Sequence, residues 1–313
     1  MKEPKRVVVI LAFAAIYIIW GSTYLAIAYA IDTIPPFLMA GTRFIITSFI
    51  LLIWMYIKKI PFPSLKQMGT ASISGILMFV GGNVSVVWAE KYISSGVAAV
   101  IIASVPIWFV ILDLEQLKKL RTNFLLSIGL VLGFVGVIIL VGVKDMFQKD
   151  ISSMVLLSYG LIIIATITWV LGTLYTRKAN HPTNVTAKVM SQTLSAGIVT
   201  IILSAISGEF RTVELSSITF VSYFSLGYLI VFGTVIAYYS YIWLIQIKPA
   251  AQVGTYTYVN PIIAVLLGWW LRDEIISPNI ITGLFTILAS IFIINYSFLK
   301  YSNQNKRVLS SKN

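Results

Sequence analysis

The stretch from Trp88 to Pro106, WAEKYISSGVAAVIIASVP, returns 155 positions later as WLIQIKPAAQVGTYTYVNP from Trp243 to Pro261. Trp88/Trp243, Pro106/Pro261, Ile107/Ile262, Val110/Val265 and Leu112/Leu267 are identical, and a Gly-Leu pair follows each copy at Gly129-Leu130 and Gly283-Leu284. Each copy sits at the same place within a set of about five apolar segments, which marks a duplication inside a membrane protein. An odd number of spans per repeat sends the second half into the bilayer upside down.

Composition sets the same class independently. Apolar residues make up 58% of the 313 residues and charged residues 11%, and the mean hydropathy is +0.91, outside the range of ordinary soluble domains. Apolar runs long enough for a helix to cross the hydrocarbon core recur from end to end. They fall at 7–30, 37–57, 67–89, 95–114, 122–143, 151–175, 189–207, 217–247, 250–271 and 279–299. Backbone groups in lipid must bond within their own segment, and the short alternation of barrel strands is absent, so these runs are predicted to be helices. The expected fold is an all-α integral membrane protein of ten transmembrane helices in two inverted five-helix repeats. Residues 1–145 form the first repeat, 146–300 the second, and 301–313 a polar cytoplasmic tail to which no fold is assigned.

The charges test that plan. Lys2, Lys5 and Arg6 before the first run resemble the start of a signal peptide, but the run is too long and no small-residue cleavage site follows, so it is expected to remain as the first helix. With the N-terminus in the cytoplasm, the inner segments, counting Lys188, collect 17 of the 23 basic residues, the outer segments five, and Arg43 lies within a span. That split predicts both termini in the cytoplasm. Such a surplus reports orientation rather than nucleic-acid binding. Cysteine is absent and there is one histidine, which closes disulfide and Cys-ligated metal chemistry.

Three stretches carry a family resemblance: Trp20-Gly21-Ser22-Thr23-Tyr24; Pro35-Pro36 running to Gly41-Thr42-Arg43-Phe44; and Gly82-Asn83 leading through Ala89-Glu90 and Ser95-Gly96 to Val105-Pro106. The second half agrees through Asn260-Pro261 and Gly268 to Glu274. Over nearly its whole length the chain resembles the EamA-type branch of the drug/metabolite transporter superfamily, and within it the YedA-like inner-membrane permeases. The resemblance implies ten helices around a central cavity, and export or exchange of small metabolites, often amino acids or related compounds. The chain departs from the family pattern at Asp113-Leu114-Glu115-Gln116, where an apolar helix end and a glycine are usual.

Spacing supplies candidate cavity faces. Tyr17, Trp20 and Tyr24 share a face of the first helix; Thr166, Trp169 and Thr173 share one of the sixth; Gln252, Tyr256 and Asn260 share one of the ninth. The inner halves of the sixth and eighth helices add Trp169, Thr173, Tyr238 and Tyr241, while Trp20, Thr23 and Asn83 are expected at the level of Arg43 towards the outer side. Aromatic residues also serve packing and the interfacial belt, but amides facing lipid would cost several kcal/mol, so the Gln252–Asn260 stripe is expected to face protein or water. Pro106 and Pro261, near the middle of matching spans, are read as a pair of helix kinks.

Arg43 is the one basic residue well inside a span, roughly 9 Å below the outer end at 1.5 Å per residue. Burying it costs at least about 2.5 kcal/mol unless it is paired or wetted. The expected partner is Glu90, with Asp32 as the other acid on that side, and the competing reading makes Arg43 an anchor for a substrate carboxylate. Glu90, in a partly apolar mouth, is also a candidate carrier of a coupling proton. His181, before Pro182 in an inner loop, is given no relay role.

No phosphate-cradling loop, His-Glu-x-x-His pair or mid-span acid occurs, so a nucleotide-driven pump and a membrane-embedded hydrolase are not expected, nor any cofactor or metal. The sequence reading is a secondary transporter of small organic metabolites in the inner membrane, an exporter rather than an enzyme, working by alternating access around an aromatic-lined cavity. Its partners are a small solute, the bilayer and a proton or other coupling ion. A channel or membrane sensor is the alternative.

Overall fold

The computed structural model describes residues 5–93, 98, 101–113, 123–141, 152–179, 182, 184–272 and 278–310. The linker at 143–150, Glu115, Gln116 and His181 lie outside the described residues, as does part of the 95–114 run.

Among the described residues there is no strand. The helices are α1 (Arg6–Ile31), α2 (Pro36–Ile57), α3 (Leu65–Ala89), α4 (Val105–Leu112), α5 (Phe124–Val141), α6 (Ser153–Lys178), α7 (Val185–Ile206) and α8 (Phe220–Ile247). Next come α9, in two pieces (Ala250–Val253 and Tyr256–Arg272), and α10 (Pro278–Ser310). Six of them, α1, α2, α3, α6, α7 and α8, are long and apolar enough to cross a membrane.

Local chemistry fixes their ends. Ser64 caps α3 and forms a capping box with Gln67. Ser152, Asn184 and Thr219 accept from the first-turn amides of α6, α7 and α8. Pro36 occupies the first turn of α2, where its missing N–H costs nothing. At the other end of α2, Lys59 turns left-handed with φ 51°, and the Ile60 amide donates to the Met55 carbonyl at 2.9 Å.

Helices meet through small residues, as expected where lipid offers no hydrophobic drive to associate. A Cβ on Gly41 of α2 would come within 2.8 Å of Ile201 of α7, and one on Gly197 of α7 within 2.8 Å of Ile45 of α2. The pair is reciprocal. At that end of the molecule Glu209 reaches across, accepting from the Phe37 amide at 3.2 Å and the Leu38 amide at 2.7 Å. It neutralises the positive end of α2. α5 lies along α10 in the same manner, with Gly129 against Ile294 and Gly136 against Ile287.

Three expectations change. The polar tail from Tyr301 continues α10 to Ser310, because extending an existing helix needs no nucleation. Lys188, counted with an inner loop, sits in the first turn of α7 and is buried; Asn184 starts that helix four residues earlier than hydropathy indicates. Pro106 stands in the first turn of α4, directly after a turn at Ala103-Ser104 that separates it from helical Ile101-Ile102, so the segment is broken there and not bent within one helix. Pro261 lies inside α9, and the break in that segment falls at Gly254-Thr255.

Candidate functional site

Three helices depart from α geometry: α1 over Ala15–Ile19, α3 over Ile76–Val84 and α8 over Leu229–Tyr238 adopt the wider π turn. A π turn leaves carbonyls free for other partners. In α8 the Thr234 hydroxyl donates to the Leu229 carbonyl at 3.0 Å, and the same oxygen accepts from Arg43 Nε at 2.8 Å. The Gly233 carbonyl next to it accepts from Trp20 Nε1 at 3.0 Å. The widened turn therefore positions both Arg43 and Trp20.

Around these residues lies a cavity of about 740 Å³, counting its open mouth. Trp20, Thr23 and Tyr24 of α1, Arg43 of α2, Phe79, Gly82, Asn83 and Val86 of α3, Ala165, Thr166 and Trp169 of α6, Gly233 and Tyr238 of α8, and Tyr256 and Asn260 of α9 line it, with Ile27, Ile102 and Val105. Among the sequence candidates, Trp20, Tyr24, Asn83, Thr166, Trp169, Tyr238, Tyr256, Asn260 and Arg43 thus meet at one cavity.

Thr173, Tyr241 and Gln252 do not line it. Tyr241 and Thr173 form a layer behind, on the side of the α1 N-terminus. The Tyr241 hydroxyl bonds with Thr173 Oγ1 at 2.8 Å and accepts from Trp169 Nε1 at 3.1 Å. Its ring packs on Trp20 and Tyr256 with centroids 5.2 and 5.8 Å apart. Tyr17 reaches Thr255 Oγ1 at 2.7 Å, and Arg177 meets buried Asp113 at 3.5 Å. That end is shut. Thr23 was placed from the sequence only at the level of Arg43, and Phe79 and Gly233 were not singled out; Gly233 has no side chain to signal it, and Phe79, four residues before Asn83, reads as an ordinary apolar packing residue.

The expected ion pair is absent. Arg43 is 4% exposed, yet among the described residues it meets neither Glu90 nor Asp32, and the ion pair found there is Arg177 with Asp113. The physical reason is direction: the Arg43 side chain runs to α8, where its Nη2 lies 3.1 Å from the position a Gly233 Cβ would take, and its Cζ sits 5.5 Å from the centre of the Phe44 ring. Three acceptors are likewise buried without a hydrogen-bond partner among the described residues: Asn83 Oδ1, Asn260 Oδ1 and Glu90 Oε1. Asn260 and Tyr24 interact through their side chains. Glu90 follows the last residue of α3, and burial pushes its carboxyl up to about 8.

A cation without a counter-ion and amide oxygens without donors among the described residues, inside an aromatic box between membrane-length helices, fit a membrane transporter with a small-molecule cavity. The profile of the EamA-like transporter family matches residues 7–142 and again 156–296, and the chain belongs to that family. It is 34% identical over 267 residues to the protein named "Uncharacterized inner membrane transporter YedA" of Escherichia coli strain K12, covering 85% of this chain and 83% of that one. It is 23% identical over 291 residues to "Uncharacterized transporter YoaV" of Bacillus subtilis strain 168, covering 93% and 97%. A solved crystal structure superposes with a TM-score of 0.73 at 15% identity, covering 93% of this chain and 98% of that one. The last likeness concerns the fold alone.

Proposed function

We propose that the chain is a secondary carrier that exports small organic solutes bearing a carboxylate, amino acids or related compounds, by alternating access around this cavity. The observation that carries the reading is Arg43: a buried guanidinium bonded to one hydroxyl and facing open space is matched to an anionic solute. Asn83 and Asn260 offer oxygens to the N–H donors of that solute. Trp20, Trp169, Tyr238 and Tyr256 bound its apolar body, and Phe79 and Val86 extend the wall.

The carrier has two inverted repeats of five helices each. The double match of the family profile supports this, as do the reciprocal packing of Gly41 on Ile201 and Gly197 on Ile45 and the π turns that α3 and α8 share at similar positions. The basic residues support cytoplasmic termini, and the printed name of the Escherichia coli relative supports the inner membrane. In that orientation the layer of Tyr17, Tyr241, Thr173 and the Asp113–Arg177 pair lies on the cytoplasmic side of the cavity, where it would serve as the inner seal of an outward-facing state. Rocking of the halves exchanges that seal for an outer one.

The test is counterflow in proteoliposomes loaded with a mixture of unlabelled L-amino acids, with a radiolabelled mixture outside. A carrier accumulates label transiently and saturates. Flux that rises linearly without counterflow would favour a channel.

A further inference from the structure

Glu90 is not consumed by the solute site as described, and its placement is specific. Asn83, Val86 and Glu90 are spaced by three and four, so they share one face of α3. Asn83 and Val86 line the cavity, which sets Glu90 on the same stripe, about 10 Å further along the helix at 1.5 Å per residue. One carboxyl oxygen is buried without a partner, while the residue as a whole stays between buried and exposed.

From α1 the Tyr24 hydroxyl lies within electrostatic reach of Glu90, and Tyr24 touches Asn260 of α9 in the cavity. Lys91 and Tyr92 follow Glu90 on its own segment. No Arg or Lys of α1, α2 or α6 forms an ion pair with it among the described residues. A fixed cation, Arg43, thus lines the cavity, and a titratable acid stands beyond Val86 on the face of α3 that lines it.

We propose that Glu90 is the proton-exchanging carboxyl of this carrier, ionised while a zwitterionic solute is bound and protonated while the empty cavity returns. This rests on the carrier reading of the same cavity. Ionised, Glu90 and Arg43 present opposite charges to the two ends of a zwitterion; protonated, Glu90 leaves the cation alone. At about 10 Å and an effective dielectric constant near 20, that difference changes solute affinity roughly tenfold. The proton comes from outer water onto a carboxylate oxygen, displaces the solute's hold, travels inward with the empty cavity and leaves to cytoplasmic water when the next solute binds. One proton enters for each zwitterion exported, and no other bond is made or broken. An acidic exterior then drives export. The carboxyl itself titrates in the right range, since burial pushes it up to about 8.

Two measurements separate this inference from the carrier reading. In proteoliposomes preloaded with radiolabelled L-amino acids, efflux from the wild-type protein should accelerate several-fold, towards a limit of about tenfold, when the exterior is taken from about pH 9 to about pH 7, across the range in which Glu90 titrates. Glu90→Gln should weaken apparent affinity about tenfold and flatten that response while still catalysing counterflow, and Glu90→Asp should restore the response in part. Intact wild-type counterflow with no response to the gradient, or the same response in Glu90→Gln, overturns the proposal and leaves the carrier reading standing. Infrared titration of the purified protein without solute reads the carboxyl on its own. The C=O stretch of a protonated carboxyl should fade with a midpoint near 8 in the wild type, and the component lost should be missing from Glu90→Gln. Identical titrations in both proteins overturn the proposal whichever solute is carried.

Discussion

Replacing Arg43 by Gln removes the charge and keeps a side chain able to bond Thr234. Two consequences follow from the geometry, and they point in opposite directions. Hydrogen bonds to a charged group are worth about 1.5 to 3 kcal/mol, so losing the guanidinium from beneath a solute carboxylate should weaken affinity about 10- to 100-fold. Stability should not fall with it. Arg43 has no counter-ion to orphan among the described residues, and its desolvation costs at least about 2.5 kcal/mol on insertion scales, so the melting temperature in detergent should hold or rise. Concentration dependence of counterflow gives the first quantity and a thermal scan the second. A buried structural pair behaves in the reverse way, losing about 3 to 5 kcal/mol of stability when one partner is removed. A melting temperature lowered by many degrees, with unchanged affinity in the surviving fraction, would refute the anchor reading and return Arg43 to the scaffold.

Gly233→Ala places a methyl 3.1 Å from Arg43 Nη2 and 3.3 Å from Thr23 Cγ2; overpacking of this kind costs about 1 to 3 kcal/mol, and solute affinity should fall at least several-fold because the guanidinium must shift. Thermal stability should vary with pH through Glu90. Its carboxyl is raised from the ordinary range to about 8 in the folded protein, so between those limits the folded state holds a proton that the unfolded chain has released; stability is greatest at the acidic end and declines as pH rises through that window. Glu90→Gln should remove this part of the slope, as read by thermal scans across the range. Single cysteines are readily placed in a chain that has none: at Ser64 an impermeant thiol reagent should label from the cytoplasmic side alone, and at Thr212 from the outside alone. Labelling of both from one side would contradict the inverted arrangement.

The membrane-length helices were legible because long apolar runs are a property of the chain itself; their exact starts, set by caps such as Ser64 with Gln67, Asn184 and Thr219, came only from the structure. Spacing brought Trp20 and Tyr24, Trp169, and Tyr256 and Asn260 to the right faces, since period is a property of the chain itself. Distance along a long side chain is not. Arg43 was expected to meet an acid at its own level, but a π turn in α8, which no residue pattern announces, turns Thr234 towards it instead. Tyr241 and Thr173 share a face with cavity residues yet bond to each other behind the wall. Glu209, distant in sequence from α2, caps that helix through a contact that only the packing of α2 on α7 creates. Lys188 and the tail after Tyr301 were misread for one reason: polar residues look like loop, and a helix already formed carries them at little cost.

The central claim is that the cavity recognises a carboxylate through Arg43. It is tested most directly by competition in counterflow between each amino acid that the protein carries and the amide of that same amino acid, which differs in losing the negative charge. The account predicts that the amides compete about 10- to 100-fold more weakly than the acids against the wild type, and that Arg43→Gln erases most of that difference. Equal competition by acid and amide in the wild type would contradict it.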